Sequence, residues 1–286
     1  MIRYTESKHG KVKMKLFFTS IVLFVAVLLE TGHAQIGGLS ASKLSAINSE
    51  TVPRFTIEFE PSFVIGYAKR YWDRYGKNKS LFKDTDSLQV ISEMDFRFTY
   101  GVTSRWEMGF TLPTGMKFLS LGSKYRFLKK DKYALAVLNG FNLPLGNHVY
   151  HITYRHNTKS EYDVNILLGL AATYTFNQKF SVDLNPVLQS HLDRGFSHLV
   201  QHVDVFFNTD FGYYFTDGFQ GIIGVYYFKT RGGLNSNYAQ KLTVNPGFTI
   251  EKARHFIIVM NFPFDVWGRN SEIQVGMGFA LTIWIN

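Results

Sequence analysis

The chain has 286 residues, of which 45% are hydrophobic, 16% aromatic and 19% charged, with a formal net charge of +9. That length suits one large or two modest domains, and no window beyond the N-terminal segment is apolar enough for a spanning helix. The basic excess is scattered through turns and loops rather than gathered on one face, which argues against a nucleic-acid partner, and the absence of cysteine fits export to an oxidising compartment.

The N-terminus carries the first element. Lys8, Lys11, Lys13 and Lys15 precede the apolar run Leu16–Leu29, and Gly32-His33-Ala34 places small residues at −3 and −1 of a cut before Gln35. A basic region, an apolar region and a small-residue site together predict a secretory signal peptide over residues 1–34. The alternative, an uncleaved anchor helix, is disfavoured by so short a run. The segment holds five basic and two acidic residues, which leaves the remainder at about +6. Residues 35–52, "QIGGLSASKLSAINSETV", are too polar and short for a strand pair. They are expected to be a flexible leader, or a hatch that folds into a lumen from the periplasmic side.

From residue 53 onward apolar and polar residues alternate. Phe55, Ile57, Phe59, Phe63, Ile65 and Tyr67 oppose Arg54, Thr56, Glu58, Glu60 and Ser62, and Met94, Phe96, Phe98 and Tyr100 oppose Glu93, Asp95, Arg97 and Thr99. The same period of two continues through Trp106–Leu112, Leu119–Phe127, Tyr133–Leu143, Tyr162–Phe176, Phe180–Leu192, Val203–Phe215, Phe219–Phe228, Leu242–Ile250, Phe256–Val266 and Ile273–Ile285. No stretch shows the 3.6-residue period of a helix, so twelve strands are predicted. They are longer than the five or six residues usual in soluble sheets, and long enough to cross a bilayer at a tilt, which takes about 9–11 residues.

The links alternate as well. Thr103–Arg105, Leu128–Lys132, Asn177–Lys179, Thr216–Gly218 and Glu251–His255 are short and odd in length. The others include long polar links at Ala68–Ser87 and Gly146–Glu161 and a Gly-rich one at Lys229–Asn237. Short periplasmic turns and longer extracellular loops are the pattern of outer-membrane barrels, and an even strand number returns both termini to the periplasm. A soluble β-sandwich would also bury one face of each strand, but it needs neither such lengths nor such alternation. The fold class expected is all-β, a transmembrane antiparallel up-and-down β-barrel over residues 53–286. Phe55, Tyr100, Trp106, Phe127, Tyr133, Phe176, Phe180, Phe215 and Phe219 are expected to form aromatic girdles near both ends.

Three stretches carry a resemblance. "RWEMGFTLPTG" at Arg105–Gly115, "LSLGSKYRFL" at Leu119–Leu128 and "YALAVLNGFNLPLG" at Tyr133–Gly146 resemble a family of outer-membrane transporters named for a meta-pathway of phenol degradation. Two positions depart from the expected pattern: Leu145 stands where members of the family often have Thr, and the chain closes on Asn286 rather than an aromatic residue. The resemblance implies a barrel in the Gram-negative outer membrane that passes small, often apolar or aromatic solutes. Its partners would be membrane lipid, the solute and the barrel-assembly machinery. A sealed structural or adhesive barrel and a barrel enzyme are the competing readings.

Little in the sequence points to catalysis, and neither cofactor nor metal is expected. His148, His151 and His156 fall in a long loop without a ligand geometry. Ser190 and His191 are strand neighbours and so point to opposite faces. The inward face is the more informative one. By parity it carries Glu58, Glu93, Asp95, Arg97, Glu107, Lys124, Arg126, Asp163, Asp183, Asp204, Asp210, Lys241 and Asp265, taken as pore-lining, beside apolar residues such as Leu138, Val187, Phe206 and Phe228. Charges in a narrow lumen must be paired or wetted, so this face lines either a passage or a sealed interior. The barrel itself is checked on a gel. Unboiled detergent-solubilised protein is expected to migrate apart from boiled protein, and identical mobility would count heavily against a barrel.

Overall fold

The computed structural model describes residues 36–40, 44–82, 87–145, 164–192, 202–231, 238–252 and 256–285. The predicted signal peptide, the histidine-bearing loop and Asp163 lie outside them. No helix occurs among the described residues. The strands are β1 (Ile57–Trp72), β2 (Asn78–Ser80), β3 (Gln89–Gly101), β4 (Trp106–Pro113), β5 (Phe118–Lys129), β6 (Tyr133–Pro144) and β7 (Val164–Thr175). There follow β8 (Phe180–Leu192), β9 (His202–Thr216), β10 (Phe219–Arg231), β11 (Ala239–Lys252), β12 (Phe256–Asn261), β13 (Phe264–Arg269) and β14 (Ser271–Ile285).

Each strand pairs antiparallel with its neighbours, and β14 returns to β1 in a register running from Ile57↔Ile285 to Trp72↔Ser271. The sheet is therefore closed. β12 and β13 are two halves of one wall strand and β2 is a three-residue extension, so twelve strands make the barrel.

The barrel is apolar outside. Along β6, Tyr133, Val137 and Phe141 are exposed while Ala134, Ala136 and Leu138 are buried. A one-residue slip would turn a charged face outward, and a Lys or Arg on a lipid face at the midplane costs about 2–4 kcal/mol. Three of the short turns enclose an odd number of residues between the last paired positions, as at Gly101↔Glu107, Thr175↔Ser181 and Lys252↔Phe256. The expectation of uniformly odd turns fails at two others. There Lys129 pairs with Ala134 and Thr216 with Phe219, and register shifts beside Phe127 and Phe215 restore the phase.

Two further details differ from expectation. The nine girdle aromatics all lie at the short-turn end, since each starts, ends or flanks a strand there. Strand β1 begins at Ile57 and runs to Trp72, so residues 68–72 belong to the wall, and Phe55 adopts a φ of 66° before it.

The wall has one break. Pro263 lacks an N–H and interrupts the strand between β12 and β13. β13 then meets β14 at a single paired position, Phe264↔Val275. The carboxylate of Asp265 repairs the ladder by accepting the Gln274 N–H at 2.9 Å and the Thr243 hydroxyl at 2.5 Å.

At the far end β2 pairs with Arg70–Trp72 of β1, which also pair with β14, and a short turn joins the two strands. Asp73 in this turn accepts the N–H groups of Tyr75 and Lys77 and pairs with Lys79 at 2.9 Å. The Lys79 contact and these amides hold the Asp73 carboxyl down at about 2, against an ordinary 3.8. A depressed pKa means that the contribution is complete above 3.8 and is lost as pH falls through about 2. The Tyr75 and Lys77 amides are expected to stay protected from exchange at pH 5 and to lose protection towards pH 2. Asp73→Ala should abolish the pH dependence.

Candidate functional site

The lumen is occupied. Residues 36–40 and 44–52 run inside the barrel without regular secondary structure, with Ile36, Leu39, Ala46, Ile47, Ser49 and Val52 buried. A chain without strand or helix partners still carries one N–H and one C=O per residue, and each must find a partner when buried. Here the inward side chains of the wall supply them.

The Glu107 carboxylate of β4 accepts the Ser40 N–H at 2.9 Å and the Val52 N–H at 2.7 Å, together with the Ser40 hydroxyl at 2.8 Å. Asp210 of β9 accepts three consecutive amides on one oxygen, from Leu44, Ser45 and Ala46, at 3.0, 3.2 and 3.0 Å. Asn185 of β8 treats Ile47 as a strand neighbour would, accepting its N–H and donating to its carbonyl at 2.6 Å. Thr173 of β7 accepts the Ser49 N–H at 3.0 Å and donates to Asp183 at 2.6 Å.

Charge pairing follows the same logic. Lys124 and Glu107 are both fully buried and 3.0 Å apart. The lysine also donates to the Ser40 hydroxyl at 2.8 Å and to the carbonyls of Ser40 and Asn48 at 3.2 and 3.1 Å. Every proton of that ammonium thus has an acceptor, the condition under which a buried pair is tolerated. Glu50, on the segment, pairs with Arg126 and with Lys129 at 2.9 Å.

Close approach at one point requires glycine. Gly38, with a φ of +75°, lies so near the wall that a Cβ there would sit 2.0 Å from the Gly109 carbonyl carbon. A Cβ at Gly122 would lie 2.1 Å from the Gly37 carbonyl oxygen.

The remaining expected residues form clusters outside this contact. Arg97 bridges Glu58 and Glu60 at 2.7 Å each, and the Trp284 indole donates to Glu58 at 2.9 Å. Lys241 pairs with Asp265 at 3.2 Å and Asp204 with His191 at 3.0 Å. Glu93 and Asp95 are half-buried, as are Arg126, Lys241 and Asp265 over the whole residue. Of the residues expected to line a pore, Glu107, Lys124 and Asp210 are buried against protein rather than open space. Thr173 and Asn185 were visible only as polar members of an alternating pattern; nothing in the sequence linked them to a segment more than a hundred residues away.

An apolar contact lies alongside. Ile36, Leu39 and Ile47 pack on Ala136, Leu138, Leu167, Ala171 and Val187, with Phe206 against the edge of the cluster. The molecule is thus a barrel whose lumen holds residues 36–40 and 44–52 of its own chain.

Residues 112–283 match the family described as "Putative MetA-pathway of phenol degradation", and the chain belongs to that family. Its fold is that of outer-membrane channels. It resembles an outer membrane channel from Pseudomonas putida F1 with a TM-score of 0.64 and 13% identity, covering 85% of this chain and 100% of that one. A deletion mutant of TodX, a monoaromatic hydrocarbon channel, aligns with a TM-score of 0.44 and 9% identity over 87% of this chain and 97% of its own. The NanC porin aligns with a TM-score of 0.47 and 7% identity over 78% of this chain and 98% of its own. No curated protein matches the chain by sequence.

The buried pair has a direct test. Lys124→Met strips the Glu107 carboxylate of its cation, and losing one partner of a buried pair costs about 3–5 kcal/mol. Limited proteolysis of the folded barrel is expected to cut within residues 36–52 in this variant and not in the parent. Adding Glu107→Gln should restore most of the protection, since the neutral pair keeps an acceptor for Ser40. Equal protection of the parent and Lys124→Met would show that the pair does not hold the segment.

Proposed function

We propose that this protein is a gated outer-membrane channel for small apolar or aromatic solutes, with residues 36–52 as the hatch. The observation that carries this reading is the manner in which the segment is held. Its described residues, 36–40 and 44–52, form no ladder with the wall; side chains of Glu107, Asp210, Asn185 and Thr173 hold their backbone. Such contacts can be exchanged for water without opening the sheet, so the segment can leave while the barrel stays closed.

The space it leaves is wide enough to pass a small molecule, because it accommodates polypeptide running from Glu107 across to Asp210 and back. The signal peptide over 1–34 and the mature start near Gln35 belong to this reading. The short turns then face the periplasm, which puts both termini there, and insertion depends on the barrel-assembly machinery. Glu107, Lys124, Arg126, Asp183 and Asp210 become pore-lining once the segment moves, with Glu58, Glu93, Asp95, Arg97, Asp204, Lys241 and Asp265 on other parts of the wall. Membership of a family named for phenol degradation supports the aromatic bias.

A sealed barrel is the second reading, favoured by the present packing of the lumen. Deleting residues 36–50 separates the two in planar bilayers. The channel reading expects single-channel conductance to rise several-fold above that of the full chain, whereas unchanged conductance would discard the hatch.

A further inference from the structure

One row of the inner wall stands apart from the charges. Registered directly across five strands are Leu138 of β6, Gly169 of β7, Val187 of β8, Phe206 of β9 and Phe228 of β10. The row ends on a lysine at each side, Lys124 opposite Leu138 and Lys241 opposite Phe228. Both lysines are committed to carboxylates, Glu107 at 3.0 Å and Asp265 at 3.2 Å. An apolar arc nearly half-way round a lumen, with no uncommitted cation at its ends, is costly to wet and offers nothing to an anion.

The chain itself covers one end of the arc. Leu138 and Val187 are buried beneath Ile36, Leu39 and Ile47. At the other end the rings of Phe206 and Phe228 lie 5.0 Å apart at 30° and remain half-buried, so a further ring can add to the pair.

We propose that this arc is the binding site of the channel for a neutral monocyclic aromatic solute, and that Ile36, Leu39 and Ile47 occupy part of it at rest. Its role in transport rests on the channel reading. The solute first stacks on Phe206 and Phe228, then competes with the three aliphatic side chains for Leu138 and Val187. Binding and displacement of the segment are thereby one equilibrium, in which the solute favours the state with the segment removed.

The test uses the full chain in lipid nanodiscs, with empty nanodiscs as the background. Titrations of 4-fluorophenol and of 4-fluorobenzoate at pH 7 are followed by ¹⁹F line broadening. Saturable binding of the phenol and none of the benzoate is expected. Leu39→Ser loosens the cover and is expected to tighten phenol binding roughly tenfold, since a larger share of the population is already competent to bind. Phe206→Leu with Phe228→Leu keeps the volume apolar, removes the stacking surface and is expected to weaken binding several-fold. The heat-dependent gel shift verifies that each variant is folded.

Equal affinity of the parent and the double Leu variant would overturn the site, as would equal affinity for phenol and benzoate or no saturable binding in either the parent or Leu39→Ser. Conductance measurements keep the two ideas apart. Conductance of the 36–50 deletion without saturable binding sinks the site and leaves the channel; saturable binding without conductance sinks the channel and leaves the site.

Discussion

The structure depends on the requirement that buried backbone amides and buried charges find partners inside the lumen. In water the irregular stretches 36–40 and 44–52 would be solvated and a carboxylate at Glu107 would need nothing. Inside the barrel each is the solution to the other's problem: Glu107 takes the amides of Ser40 and Val52, and Lys124 balances its charge while donating to Ser40 and Asn48. Asp210 does the same for three amides in succession. A lumen lined only by aliphatic residues would leave these groups unpaired, and each would cost on the order of 1–3 kcal/mol.

That requirement also governs the wall. Closure of β14 onto β1 removes the sheet edges, so the backbone of each strand is satisfied by its neighbours and the outer face can be wholly apolar. Where Pro263 breaks the ladder, a side chain substitutes for the missing backbone partner, and Asp265 bonds the Gln274 amide directly. An inward carboxylate can therefore serve the wall, the segment or a passage, and its position along the strand decides which. Glu58 and Glu60 show a further use, since they hold Arg97 between β1 and β3 and tie in Trp284 of β14 at the seam where the barrel closes.

Much of the barrel was legible because strand geometry is local. A period of two assigns the strand residues to one face or the other, and lipid on one side leaves only one face for the charges. The turns were less legible, since a bulge beside Phe127 or Phe215 changes the turn count without changing the phase. The place of the N-terminal segment was the least legible feature. "QIGGLSASKLSAINSETV" has no period, and its partners are side chains as distant in sequence as Asp210, 164 residues from Ala46. Gly37 and Gly38 have no assigned role in that stretch until Gly109 and Gly122 are seen against them.

Alternation, strand length and the sparing of lipid-facing positions were enough by themselves to determine a twelve-stranded barrel with its charges turned inward, because these are consequences of a pleated chain meeting hydrocarbon. Which charges face open space, which face a neighbour and which face the chain's own N-terminus was decided only by tertiary structure. The reason is that pairing inside a lumen depends on the register of strands that are distant in sequence. Lys124 and Asp265 look alike in the pattern, yet one anchors the segment and the other mends the wall.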